Sequence, residues 1–152
     1  MSDPLEPRSG IRLADEQKLA WLRLIRTPRV GPATFLDLIR RFGTASEALE
    51  ALPDLAAKAG AKAIKVADAN TAQREMDALS QIGGEVVCLG EPDYPPALRF
   101  ADGPPPVLAV RGEKAALQRD AVAIVGSRNA SVAGLKLTGQ FARDIGAADY
   151  LI

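Results

Sequence analysis

The hydrophobic rhythm of this chain changes at Gly83-Gly84, and that change limits what it can fold into more than any other feature. Before the two glycines, apolar residues recur at helical spacing. After them, they gather in short β-branched runs separated by prolines. One layer cannot serve both patterns, so the spacing predicts an all-helical region followed by an α/β region. A chain of 152 residues can enclose one ordinary core or two small ones. The divisions expected are a flexible tail over 1–13, a helical domain over 14–82 and the start of an α/β domain over 83–152.

Within the first region, Asp15 is placed to cap a helix running to Arg26, with Leu19, Trp21, Leu22, Leu24 and Ile25 as its apolar face. Thr27-Pro28-Arg29-Val30-Gly31-Pro32 is a turn. Pro32 suits a first helical position, where its missing N–H is not needed. The second helix carries Phe35, Leu36, Leu38, Ile39 and Phe42, and Gly43 stops it as a left-handed cap. A short helix starting at Thr44 or Ser46 is expected to end at Pro53. A longer one is expected over 64–82, with Ile64, Ala67, Met76, Leu79 and Ile82 buried.

In the second region, Glu85–Leu89 and Val107–Val110 read as strands, and Pro92–Pro96 and Gly103–Pro106 as rigid connectors. Ala121–Val125 is continuously apolar, which suits a strand buried on both faces of a parallel sheet. Ser131–Ile145 reads as a helix, with Leu137, Phe141 and Ile145 on one face and Gly146 at its end. Asp149–Ile152 opens a further strand. Strand, loop, helix and strand onset make an unfinished βαβ unit, which predicts that a longer α/β domain continues past Ile152.

Composition removes several functions. Histidine is absent, so Ser-His-Asp catalysis and His-ligated metal sites are excluded. Cys88 lies in the run Val86-Val87-Cys88-Leu89 and reads as a buried free thiol. No stretch approaches the ~20 apolar residues of a membrane helix, and the amino terminus has no apolar signal region, so no membrane partner and a cytoplasmic location are expected. Net charge is zero, so any nucleic-acid contact must rest on local charge.

The most informative local feature is Gly126-Ser127-Arg128-Asn129-Ala130-Ser131, between the apolar run and a helix start. The first N–H groups of a helix lack partners and the dipole adds positive character there, so such a loop attracts anions. Gly126 lets an anion approach the backbone, Ser127 and Ser131 offer hydroxyls, and Arg128 offers a planar fork matched to phosphate. Neither the dinucleotide fingerprint nor the Walker A sequence is present. The same residues also fit a tight turn, a cap and a solvated arginine.

Val30–Ile39 resembles a helix-hairpin-helix, in which a glycine turn presents N–H groups to DNA phosphates. Between Trp21 and Arg41, five arginines stand against Asp37 alone, leaving a local surplus of four positive charges. Arg29 and Gly31 are therefore candidates for a secondary DNA contact, with a protein-binding surface or a plain solvated face as alternatives. Tyr94, among its prolines, reads as a packing anchor rather than a base-stacking platform.

Val122-Ala123-Ile124-Val125-Gly126-Ser127-Arg128, followed by Ser131 and Gly134, resembles the signature of the DNA-processing protein A (DprA/Smf) family. Tyr94-Pro95-Pro96-Ala97-Leu98 and Pro105-Pro106-Val107-Leu108 resemble it upstream. Where that family often carries an aromatic before the glycine, this chain has Ala133. The resemblance implies a SAM-like or helix-hairpin-helix-like helical domain followed by the first part of an extended Rossmann-type domain. It further implies a homodimeric protein without catalysis or cofactor, which binds single-stranded DNA and hands it to a RecA-type recombinase in natural transformation. Gly126, Ser127, Arg128, Ser131 and Gly134 would then belong to the DNA-phosphate pocket. The rival reading from the loop itself is a Rossmann-type nucleotide or nucleoside-phosphate hydrolase, with Ser127 the only nucleophile and no visible activator.

Overall fold

A computed structural model of the protein describes residues 12–58, 60 and 64–152. It divides into two compact units, Met1–Lys114 and Ala115–Ile152. In the first, α1 (Asp15–Arg26), α2 (Pro32–Phe42), α3 (Ala45–Lys58) and α4 (Ala69–Gln81) precede β1 (Gly84–Cys88), the short α5 (Pro96–Arg99) and β2 (Val107–Arg111). Most of the expected tail, 1–11, lies outside the described residues. Its last two residues are held in place: Arg12 pairs with Asp93 at 2.8 Å, and the Leu13 N–H donates to Glu91 Oε1 at 2.9 Å.

The helices close around Leu24, Val30, Phe35, Leu38, Ile39, Ala48, Leu49 and Leu52. Trp21 meets Phe35 at 4.9 Å between ring centroids, tilted by 60°, a favourable aromatic geometry. Three boundaries differ from the sequence reading. Ala14, not Asp15, caps α1, its N–H held by the Gln17 side chain, while Asp15 and Glu16 sit in the first turn against the helix dipole. Pro53 does not end α3; it lies inside the helix. Proline removes one N–H, but Leu52 and Ala56 on either side of it are buried, and that burial carries the helix to Lys58. Helix α4 begins at Ala69 rather than residue 64, because Asp68 accepts the Thr71 N–H at 2.8 Å and fixes the start. Ala72 is its buried residue, Met76 and Leu79 are half-buried and Ile82 is exposed.

The two glycines at the change of rhythm do different work. Gly83 takes φ +73°, which turns the chain out of α4. A Cβ at Gly84 would come within 2.5 Å of Leu79 Cδ1 and 3.1 Å of the Val110 carbonyl, so α4 can approach the sheet only over a glycine. Strands β1 and β2 pair antiparallel in the register Gly84↔Arg111 to Cys88↔Val107. Buried Tyr94 anchors the connector by donating to the Pro105 carbonyl at 2.8 Å, the packing role read from the sequence. Cys88 is a buried free thiol, pushed up to about 12, first by burial and then by the Glu91 charge.

The second unit contains α6 (Val132–Ala147) and a single parallel bridge, Ala121↔Leu151. The Val122 N–H donates to Leu151 O at 2.8 Å and the Leu151 N–H to Asp120 O at 2.9 Å. The strand–helix–strand connection is therefore present in its smallest form. Ala121–Val125 is not the doubly buried strand expected. It is extended and paired only at its start, and Val125 is 90% exposed. A strand needs neighbours to satisfy its backbone, and among the described residues this one has Leu151 alone. Helix α6 runs one residue past Gly146 to Ala147 with Ala148 as its C-cap, and the chain then turns at Asp149, which takes φ +68° and is clasped by Arg119 through its carbonyl and carboxylate. The whole is a helical domain followed by a small sheet with helices, an α + α/β arrangement of partial Rossmann character.

Candidate nucleic-acid interface

The loop after the extended segment carries five of the candidate residues in one short stretch. Ser131 caps α6, its Oγ accepting the Gly134 N–H at 3.1 Å while its carbonyl takes the Leu135 N–H at 2.9 Å. That leaves the Val132 and Ala133 N–H groups at the start of α6 without a partner among the described residues. The first turn of α6 contains no acidic residue to compete for that position. Ser127 Oγ accepts the Asn129 N–H at 3.2 Å, so its own hydroxyl hydrogen remains available to a ligand. A Cβ on Gly126 would meet nothing within 4 Å, so this stretch of backbone is open to approach. Arg128 is exposed and forms no ion pair among the described residues. An open glycine, two hydroxyls, helix N–H groups without a partner and a guanidinium without an ion pair, among the described residues, thus follow one another in a single loop and helix start.

A cleft in the same unit lies away from the loop. A cleft of about 440 Å³ is lined by Arg119, Asp120, Asp149 and Tyr150, at the amino end of the extended segment rather than at the loop. A ligand on the loop would bind at an exposed surface. Among the described residues no group of three or more His, Cys, Asp or Glu side chains could hold a metal ion. No helix among them is long and apolar enough to cross a membrane.

In the hairpin, the arginines counted from sequence divide into two kinds. Arg26 is committed to Glu75 through two contacts, at 2.6 and 3.1 Å, and Arg23 donates to the Ala67 carbonyl at 3.1 Å. Arg40 has only a loose contact with Asp37 at 3.5 Å, and Arg41 lies 5.3 Å over the Phe42 ring. Arg29 is exposed, has no ion pair among the described residues and holds φ +69°, a left-handed conformation that costs a non-glycine residue about 1 kcal/mol. Gly31 caps α2 without a side-chain hydrogen bond, and Pro32 follows it. The surplus available to a phosphate is therefore narrower than the sequence count, resting on Arg29, Arg40 and Arg41.

The sequence reading missed one polar centre, the buried pair Lys18–Glu91, at 3.2 Å. Nothing in the string Gly90-Glu91-Pro92 distinguishes this glutamate from an ordinary turn residue.

Two family models match the chain. Residues 15–78 match one described as the DprA-like N-terminal HHH domain, and residues 85–152 match one described as DNA recombination-mediator protein A. No curated protein matches it.

Proposed function

Because this chain belongs to the DNA-processing protein A (DprA/Smf) family, we propose that it binds single-stranded DNA and delivers it to a RecA-type recombinase. It acts as a homodimer in the cytoplasm, protecting incoming DNA during natural transformation, and does so by binding alone. The contact is to backbone phosphate. Gly126 admits a phosphate oxygen to the main chain, Ser127 and Ser131 donate from their hydroxyls, and the Val132 and Ala133 N–H groups stabilise the charge. Gly134 allows the cap that shapes this turn, and Arg128 supplies the charge-assisted fork. The observation that carries this reading is the start of α6, where among the described residues two N–H donors have no partner, no carboxylate is near in sequence, and Arg128, without an ion pair, precedes them in the loop. Arg29 and Gly31 form a second, weaker DNA contact. A hydrolase would need a base on Ser127, and among the described residues its hydrogen bond is to the Asn129 N–H.

The test is fluorescence anisotropy of an unstructured oligonucleotide at several salt concentrations. Arg128→Ala, confirmed folded, should weaken binding by about 1–3 kcal/mol and flatten the salt slope by ~0.7, the share of one phosphate on a single strand. Unchanged affinity and slope would remove the loop from the site.

A further inference from the structure

Among the described residues of the first unit, Glu91 is the buried polar group with the most hydrogen-bond partners, and it is only 3% exposed. Its Oε2 accepts the Cys88 N–H at 2.7 Å. Its Oε1 accepts the Leu13 N–H at 2.9 Å and faces Lys18 Nζ at 3.2 Å. Lys18 in turn donates to the Val86 carbonyl at 2.8 Å. The Glu91 carbonyl takes Arg99 Nη2 at 2.6 Å and the Tyr94 N–H at 3.1 Å. One residue therefore ties together the entry to α1, the first turns of α1, strand β1 and the connector after it.

Such a pair does little for stability compared with apolar packing, because both ions lose their water. What it supplies is uniqueness. The apolar contacts of helix on sheet can slide, whereas a carboxylate filled by three donors has one arrangement. Removing either partner strands a charge in the interior. The two family models meet between residues 78 and 85, which on sequence alone would suggest a division there. The contacts of Glu91 cross that division.

We propose that Glu91 is a positioning residue that locks the helices α1–α4 and the β1–β2 hairpin into one cooperative body, so that the arginine-bearing turn at Arg29 is held at a fixed orientation to the sheet. The helical region is then not an independently hinged module.

Native-state hydrogen exchange on the full chain, measured across increasing denaturant, tests this directly. The slowest amides of α1, α3 and β1 should converge on one opening with a common denaturant slope. If β1 opens with a smaller slope while α1 and α3 stay protected, the proposal is overturned. Glu91→Gln should then accelerate exchange by about 100-fold or more in α1, α3 and β1 alike, the scale expected for stranding Lys18. Lys18→Met combined with Glu91→Gln removes both charges and should recover most of that loss. Glu85→Gln, which breaks the surface pair with Lys114, should change exchange by less than about threefold. Acceleration confined to β1 and the connector, or no recovery in the double variant, would also overturn it. Where Glu91→Gln fails to fold, the slopes of the unaltered protein decide.

Discussion

In the unit Met1–Lys114, the apolar faces of α1, α2 and α3 are buried against one another, with Leu24 and Phe35 fully enclosed. In the unit Ala115–Ile152, α6 buries none of its residues, and Val132, Leu135, Leu137 and Phe141 are all more than half exposed. Both units nevertheless have well-formed helices. A helix fills its own backbone hydrogen bonds between its ends, and at the ends of α6 Ser131 takes the Gly134 N–H while the Asp149 N–H donates to the Gly146 carbonyl. A strand cannot do this. The apolar run Ala121–Val125 therefore stays extended and nearly unpaired, while Gly84–Cys88, given β2, becomes a true strand. Order in the first unit comes from burial, and in the second from capping.

The largest expected effect tests that contrast at its core. Phe35→Ala should lower stability by about 3–5 kcal/mol, seen in denaturation followed by the fluorescence of Trp21, the only tryptophan, which packs on that ring. A loss below about 1 kcal/mol would mean that the first unit is no better packed than the second. Next comes the ligand side: Arg128→Lys should recover only part of the affinity lost in Arg128→Ala, because an ammonium keeps the charge without the fork. Arg29→Ala should weaken binding less than Arg128→Ala. Equal losses at Arg29 and Arg128 would replace the loop by diffuse basic attraction.

Cys88 sharpens the comparison through pH. Its folded pKa is raised from 9.0 to about 12, so the stability it contributes is complete below pH 9 and is lost as pH rises toward 12. The advantage of the native protein over Cys88→Ala should shrink by about 1.4 kcal/mol per pH unit across that window. A constant difference between the two pH curves would mean that the thiol is hydrated in the folded state. Ser131→Ala should cost α6 about 1 kcal/mol, measured as faster amide exchange in its first turns, with the first unit unmoved. Smallest of all, Phe141→Ala should change stability by no more than about 0.5 kcal/mol, since that ring is 51% exposed. A large loss there would show that α6 is held by packing and not by its caps.

What could be read in the sequence divides along the same line. Local chemistry was legible: the Gly43 stop, a helix start at Thr44 or Ser46 (it is Thr44 whose hydroxyl takes the Glu47 N–H), the Ser131 cap, and two strands within a residue of β1 and β2, though not their antiparallel pairing. Local rules failed where a distant contact decided the outcome. Pro53 is a breaker by propensity, yet Leu52 and Ala56 hold the helix through it. Ile64 and Ala67 fit a helical period, but the Asp68 cap starts the helix after them. The loop at Gly126 could be found because its donors are near in sequence. Lys18 and Glu91 could not, being 73 positions apart and joined only by the fold. The arginine count overstated the hairpin for the same reason, since Glu75 lies far along the chain from Arg26.

The open apolar row on α6 also makes concentration and temperature linked variables for the 152-residue chain. Attraction between apolar surfaces strengthens on warming and weakens on cooling. Solutions of the chain should therefore scatter more light when warmed at fixed concentration and clear again when chilled, well below any unfolding transition. Sulfate, by tightening effective burial, should move that onset to lower protein concentration. The residues responsible are Val132, Leu135, Leu137 and Phe141, so a single charged replacement among them should raise solubility without touching the fold of the first unit.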